Sequence, residues 1–513
     1  MTPRLVFVPA GQCDATGQSS RRVRGRPGDV NARRHIYACR FRDRTSRVPL
    51  SKASQRNPLS GSPHPPSAKT APLRLALGGA FALAAAMGIG RFVYTPILPF
   101  MAEGIPLSAA NAGLIASANF LGYLVGALAG SLGGLPGSQR SWFLSALLAS
   151  AVTTIAMGLT DHLAVFLLLR FFGGVASAFV LVFASALVLE QLAMTGRAGL
   201  SALHFAGVGS GIALSAILVA VLGGNGFSWQ ELWFASGLTT LGLLIAITWL
   251  VPRPRKEFGS IETPDTQSGR KSGRYSGDLL RLVIAYGLFG FGYVITTTFI
   301  SVITRQTPEL NEAEAVVWLA VGLSAAPSIY VWNRLSGRYG PTRAFAAACL
   351  AEAVGVGLSV TADTPALIIV AAALVGGTFV AISALGLIEA RRLTTGDPRQ
   401  ALGIMTASFG LGQVVGPWFA GLLHEMTGDF QAPSFAAAIS LVVAAGLVLM
   451  RTKTVLKESP RPVVPDWDSL RAQLLSEGKA DLVDAIETLR AEGGKIDAIR
   501  QLRKNGYLDG PEN

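Results

Sequence analysis

The strongest constraint on this chain is that it repeats itself, at an offset of about 203 residues, inside apolar sequence. The segment from Gly130 through Leu132, Gly137 and Arg140 has its counterpart from Asn333 through Leu335, Gly340 and Arg343. At the same offset the pair Gly173-Gly174 returns as Gly376-Gly377. A helical bundle duplicated in lipid places a substrate site between its two copies. Transport is therefore the leading reading before any single residue is weighed.

Composition narrows the class. Half of the 513 residues are hydrophobic and 15% are charged, with a mean hydropathy of +0.44. Those values indicate an integral membrane protein. The 58 glycines agree, because small residues let helices approach closely where lipid supplies no hydrophobic drive. The net charge of +13 is not a nucleic-acid signal, because it is concentrated in one tail. Residues 1–70 hold fourteen Lys or Arg against Asp14, Asp29 and Asp43, whereas residues 452–513 hold ten basic against eleven acidic residues. The tail over 1–72 is too polar to bury a core and reads as disordered. Three accounts fit it: an extension attracted to anionic lipid, an organellar transit peptide, or sequence upstream of the true start. Cys13, Cys39 and Cys349 show no metal-ligand spacing, and no cofactor is expected.

A lipid span needs about 20 mainly apolar residues with self-satisfied backbone. Twelve segments qualify, at roughly 73–101, 109–133, 141–159, 162–190, 198–222, 228–251, 277–304, 313–334, 343–361, 364–391, 401–424 and 432–451. The polar loop 252–276 divides them into bundles over 73–251 and 277–451, and 452–513 forms a soluble tail with short helical repeats of Leu and Ile. Loops after even-numbered spans carry Arg140, Arg197, Arg334, Arg338, Arg343, Arg391 and Arg392. Loops after odd-numbered spans carry Glu103, Asp161, Glu231, Glu309, Glu312, Glu314, Asp363 and Asp429, with Arg305 the one exception. Basic loops face the cytoplasm, so both termini should lie there and the protein should sit in the inner (plasma) membrane.

Twelve spans in a six-plus-six repeat resemble the major facilitator superfamily. The loop after span two is similar to that family's Gly-x-Leu-Ala-Asp-Arg-x-Gly-x-x-Arg signature through Gly130, Leu132, Gly137 and Arg140, with Gly133, Gly134 and Leu135 replacing its charged centre. Its second copy keeps Leu335, Arg338, Gly340 and Arg343, with Gly337 in the aspartate's place. More narrowly, Gly88-Ile89-Gly90-Arg91-Phe92-Val93-Tyr94-Thr95-Pro96 and Tyr286-Gly287-Leu288-Phe289-Gly290-Phe291-Gly292-Tyr293 resemble spans one and seven of the YbfB/YjiJ-type branch. The resemblance covers about 71–451 and implies the major facilitator fold, an all-α membrane protein in which spans one and four line a central cavity.

Ionisable groups inside such spans demand an explanation, since an Arg at mid-helix costs about 2.5–3.5 kcal/mol on insertion scales. Arg91 and Arg170 both lie roughly 12–15 Å from the same membrane face, at 1.5 Å per helical residue. Together they could clamp a carboxylate or phosphate, or each could instead bond backbone carbonyls and stiffen the bundle. His204 and Glu352 are the titratable candidates for proton coupling, against simple structural roles. Tyr94, Asn119, Tyr123, Phe291, Tyr293 and Gln413 are expected around the substrate. Glu190 and Glu389 end spans four and ten, where they could latch a cytoplasmic gate with Arg140 and with Arg338 or Arg343; solvated helix ends are the alternative.

The reading is a proton-coupled secondary transporter of a small organic anion. Its partners are that small molecule, the bilayer and protons. The competing class is a membrane sensor or scaffold signalling through the C-terminal tail, and deletion of 460–513 discriminates the two. No Ser/His, paired-carboxylate or metal constellation in the spans points to an enzyme, and no phosphate-binding loop points to an ATP-driven pump.

Overall fold

The computed structural model describes residues 70–131, 136–251, 276–394, 398–450 and parts of 471–491. The basic N-terminal tail, the glycines replacing the signature's centre, the long polar loop and most of the C-terminal tail lie outside the described residues. Every described element is helical. In chain order these are α1 (Thr70–Leu83), a π-helical turn (Ala84–Ile89), α2 (Tyr94–Gly104), α3 (Ala109–Ser131), α4 (Gln139–Ala156), α5 (Leu163–Met194), α6 (Ser201–Gly224) and α7 (Trp229–Leu250). There follow α8 (Gly277–Gln306), α9 (Glu314–Tyr339), α10 (Pro341–Thr361), α11 (Pro365–Leu393), α12 (Pro398–Thr427) and α13 (Gln431–Leu449), with short 3-10 turns between some of them. A further helix, Ala480–Ala491, lies in the C-terminal segment.

Local chemistry sets several of the ends. Ser138 accepts from the Ser141 amide at 3.0 Å and opens α4. Ser228 and Glu231 form a reciprocal capping box at the start of α7. Pro341 and Pro365 occupy first-turn positions where a missing N–H costs nothing. Gly340, at φ 86°, adopts the left-handed conformation that lets α9 turn directly into α10.

Eleven helices among the described residues are long and apolar enough to cross a membrane. Their ends fall within about five residues of the expected spans. The one remaining expected span, the eleventh, corresponds to α12, which has the length but not the hydropathy, because Gly403, Gly410, Gly412, Gln413, Gly416 and Pro417 dilute its apolar content. Large apolar side chains such as Leu168, Val152, Leu238, Ile245 and Ile439 are exposed on the periphery. Polar ones, including Asn119, Thr240, Thr296 and Gln413, are sealed inside. That inverted distribution suits a surface solvated by lipid. The two most enclosed membrane-length helices are Pro72–Gly104 and Gly277–Gln306, 78% and 61% buried.

The helices before residue 252 meet those after 276 along two principal seams, α3 on α12 and α6 on α9, with α2 also touching α8. Glycine makes the seams tight. A Cβ on Gly113 would run into the Pro417 carbonyl, and one on Gly209 would run into the Ala326 amide. Side-chain hydrogen bonds add to both: the Trp418 amide donates to Ser117 Oγ at 3.2 Å, and Trp318 Nε1 donates to Ser215 Oγ at 3.3 Å.

Candidate functional site

The first membrane-length helix is interrupted where its two conspicuous proline residues begin to act. Pro96 and Pro99 lack amide hydrogens, and upstream of them the chain passes through the π-turn and a short non-helical stretch before α2. Such a break leaves carbonyls unpaired in an apolar interior, where each needs another donor. Arg170, two turns into α5, supplies it: Nη1 donates to the Gly90 carbonyl at 3.2 Å and Nη2 to the Arg91 carbonyl at 2.9 Å. The guanidinium also lies 5.0 Å from the Tyr94 ring centre. Asn119 donates to the Arg170 carbonyl at 2.9 Å, and the Tyr94 hydroxyl donates to the Ala112 carbonyl at 2.8 Å. Arg170 is therefore largely spent on backbone.

Arg91 is placed differently. It is 3% exposed, and its guanidinium carbon stands over Tyr123 at 4.1 Å and over Phe120 at 4.5 Å. Each such contact is worth about 0.5–2 kcal/mol and offsets part of the burial cost. Nε and Nη2 make no hydrogen bond of ordinary geometry among the described residues, although the guanidinium lies close enough to interact with the Tyr123 hydroxyl. These two nitrogens share one edge of the guanidinium, the edge that receives both oxygens of a carboxylate in parallel. The two arginines thus lie close in space, Arg170 holding the Arg91 carbonyl, but with Arg170 bonded to backbone they do not form the joint clamp that their matched depth had suggested.

Across the seam the C-terminal helices contribute a tier of flat rings. Tyr293 runs parallel to Phe379 (centroids 5.5 Å, 6°) and to Phe409 (5.8 Å, 4°). Phe92 meets Phe379 edge-on at 5.9 Å and joins the tier to the Arg91 segment. The Tyr293 hydroxyl accepts a hydrogen bond from the Gln413 amide, whose other polar atom is unpartnered. Arg91 is near enough for its charge to be felt at that hydroxyl. Of the residues expected around the substrate, Tyr123 lies against the Arg91 guanidinium, Tyr94 and Asn119 contact Arg170, and Gln413 is paired with Tyr293. Phe291 does not join them; it packs on Phe419 at 5.4 Å. Phe120, Phe379 and Phe409 were not singled out in the sequence, where a lone Phe in an apolar span carries no positional signal.

The titratable candidates sit apart from one another. His204 is fully buried on α6; Nε2 is 3.2 Å from Ser185 Oγ and Nδ1 has no partner. Gly79 lies against its ring, so any side chain there would collide with it. Glu352 is fully buried on α10, and neither carboxyl oxygen has a hydrogen-bond partner among the described residues.

The pairing expected at the arginine-bearing end is not made in this conformation. Arg140 donates to the carbonyls of Val251 at 3.1 Å and Thr248 at 3.3 Å. Glu389 accepts from Thr342 at 2.6 Å and lies 3.7 Å from Arg392. Glu190 and Arg343 are exposed, and Arg338 lies over its neighbour Tyr339. Arg140 and Glu389 thus take carbonyls, a hydroxyl and the neighbouring Arg392 in place of the expected partners.

Closure occurs instead at the other end. Arg305, at the end of α8, pairs with Glu103 of α2 at 2.9 Å and with Glu314 of α9 at 3.4 Å, and covers the Phe100 ring at 4.1 Å. Glu425 of α12 accepts from the Ala110 amide at the start of α3 at 3.1 Å, and Thr95 donates to the Thr297 carbonyl at 2.6 Å. The single arginine that broke the charge pattern of those loops is the one that ties the helix sets together. That exception was the available signal for this latch.

A bundle of membrane-length helices with charge sealed at its centre and a latch across one end is a membrane transporter of the major facilitator type, not an enzyme. Residues 83–449 match the family described as uncharacterised MFS-type transporter YbfB, and the chain belongs to that family. Solved structures with the same fold include the nucleoside transporter NupG, at 15% identity and a TM-score of 0.57, covering 73% of this chain and 99% of that one. A second crystal structure of NupG matches at 14% identity and a TM-score of 0.54, covering 74% and 100%. A bacterial homologue of the human lysosomal transporter Spinster, in an inward-facing and occupied conformation, matches at 13% identity and 0.55, covering 76% and 97%. At these identities the likeness establishes the fold alone. A comparison with curated protein sequences gives no match.

Proposed function

We propose that this protein is a secondary transporter that moves a small organic anion across the inner membrane by alternating access, with Arg91 as the anion's principal contact. The observation that carries the reading is the open Nε/Nη2 edge of a buried guanidinium with no carboxylate paired to it. An uncompensated buried charge is costly, and a site that must accept and release an anion has reason to keep one. Arg170 acts as the positioning residue, because it holds the carbonyl of Arg91 itself.

The helix pairing supports a layout of two six-helix repeats. The second span meets the fifth of the opposite set at both seams, α3 with α12 and α6 with α9, as a twofold relation would require. On this layout α12 is the eleventh of twelve spans, and its glycines and Gln413 serve a cavity rather than lipid. Both termini lie in the cytoplasm, the arginine-bearing end faces inward, and the latch of Arg305, Glu103 and Glu314 closes the outer end. Arg305→Ala is expected to loosen that closure by about 2–5-fold, since a half-exposed ion pair contributes up to about 1 kcal/mol. The readout is labelling of a Thr304→Cys side chain by an impermeant maleimide applied outside; an unchanged labelling rate in the Arg305→Ala background sinks the latch.

Proton coupling rests on Glu352 and His204. A buried carboxyl without a hydrogen-bond partner exchanges a proton when its surroundings change. Glu352→Gln is expected to abolish the response of flux to an imposed pH gradient in proteoliposomes while leaving counterflow intact, and His204→Ala to blunt it. A full response in Glu352→Gln removes that residue from the coupling path.

A further inference from the structure

Resting on the reading that Arg91 holds the transported anion, we infer that the substrate is a flat aromatic carboxylate carrying a polar group at its far end. The guanidinium carbon stands over the rings of Tyr123 and Phe120, at 4.1 and 4.5 Å, so an anion taken up at its open edge would enter a slot between ring faces. A carboxylate bound in parallel to Nε and Nη2 lies in the guanidinium plane. In a conjugated acid the ring shares the plane of the carboxylate and continues along such a slot. A tetrahedral α-carbon instead turns its substituents out of that plane and into the walls. Joined to the Arg91 segment through the Phe92–Phe379 contact is a second set of rings with nearly parallel planes, Phe379, Tyr293 and Phe409. Tyr123 and Phe409 are only half-buried, whereas Tyr293 is 2% exposed. Tyr123 and Phe409 thus keep part of their surface uncovered, one on each side of the α3–α12 seam, although Arg91 lies on the first ring and Tyr286, Phe289 and Tyr293 stack on the second.

Gln413 supplies the distal contact. It is fully buried, its amide is held by the Tyr293 hydroxyl, and one of its two polar atoms is open whichever way the amide is turned. A hydroxyl, which both donates and accepts, satisfies it in either orientation. A ligand reaching from Arg91 to Gln413 would touch both helix sets at once, and only such a ligand reports to both during rocking.

Four acids and one neutral control test this on the purified full-length protein, with binding read by thermal shift and calorimetry: benzoate, 4-hydroxybenzoate, cyclohexanecarboxylate, acetate and benzyl alcohol. Benzoate is expected to bind at least about tenfold more tightly than cyclohexanecarboxylate, as two ring contacts imply. 4-Hydroxybenzoate should bind about fivefold more tightly than benzoate, as one additional buried hydrogen bond implies, and benzyl alcohol should not bind. Gln413→Leu should erase the advantage of the hydroxyl while keeping benzoate binding. Tyr123→Leu should shrink the preference for benzoate over cyclohexanecarboxylate, and Tyr123→Phe should retain it. Equal binding of the flat and saturated acids, both lost in Arg91→Gln, overturns the aromatic inference and leaves the anion reading standing. Binding that persists in Arg91→Gln overturns both, and failure of either aromatic acid to bind the wild type overturns the inference.

Discussion

Arg91→Gln is expected to lower carboxylate transport by more than about 30-fold, because losing a buried charge-assisted pair costs about 2–5 kcal/mol. The substitution keeps a polar side chain of similar reach and removes the charge and the paired donors. Folding should survive, since Arg91 makes its side-chain contacts with rings rather than with backbone carbonyls. A neutral side chain in their place even removes an insertion cost. Arg91→Lys restores the charge without the two-donor edge, so it should recover only part of the flux. The check is initial-rate uptake in proteoliposomes matched for protein content by size exclusion. Uptake in Arg91→Gln equal to wild type would remove this residue from the substrate path.

Arg170→Leu should fail differently, in stability as well as in flux. The carbonyls of Gly90 and Arg91 would lose their donors inside the bundle, at about 1–3 kcal/mol each. The expected fall in melting temperature in detergent is on the order of 5–10 °C. The broken segment would then find other partners, carrying the Arg91 side chain away from its position over Tyr123. Arg170→Lys can reach one carbonyl but not both, so an intermediate melting temperature is expected. A variant that melts with wild type would show that the carbonyls are satisfied elsewhere. Together the two substitutions separate an arginine that binds from one that builds: Arg91 should change flux without melting temperature, and Arg170 should change both.

Much of this architecture was legible in the chain. Spans are set by the length and apolarity of segments, properties that belong to each segment alone, so eleven of them emerge within about five residues of expectation. Buried arginines were legible for the same reason, since any Arg in a span needs an account. Their division of labour was not. Which guanidinium is used up depends on where the broken helix leaves carbonyls, and that break over residues 84–93 lies mostly upstream of Phe92 and Thr95, whose carbonyls Pro96 and Pro99 themselves free. Span eleven lost its hydropathy to Gln413 and a run of glycines, the composition that a cavity helix needs and that a hydropathy threshold penalises. The expected pairs at the arginine-bearing end presumed that opposite charges on neighbouring loops find each other. In the structure Arg140 and Glu389 meet nearer groups within their own helix set. Arg305 made the opposite case: an oddity in the charge pattern whose partner, Glu103, lies about 200 residues away in sequence.

The central claim is that a buried, unpaired Arg91 carries an anion through the membrane. Proteoliposomes of wild type and of Arg91→Gln, incubated with a defined mixture of labelled organic acids, neutral metabolites and amines, and read by mass spectrometry of the vesicle contents, test it most directly. The account predicts that wild-type vesicles accumulate one or more carboxylates and that Arg91→Gln vesicles accumulate none of them. Accumulation confined to neutral or cationic compounds, or the same carboxylates in both preparations, would contradict it.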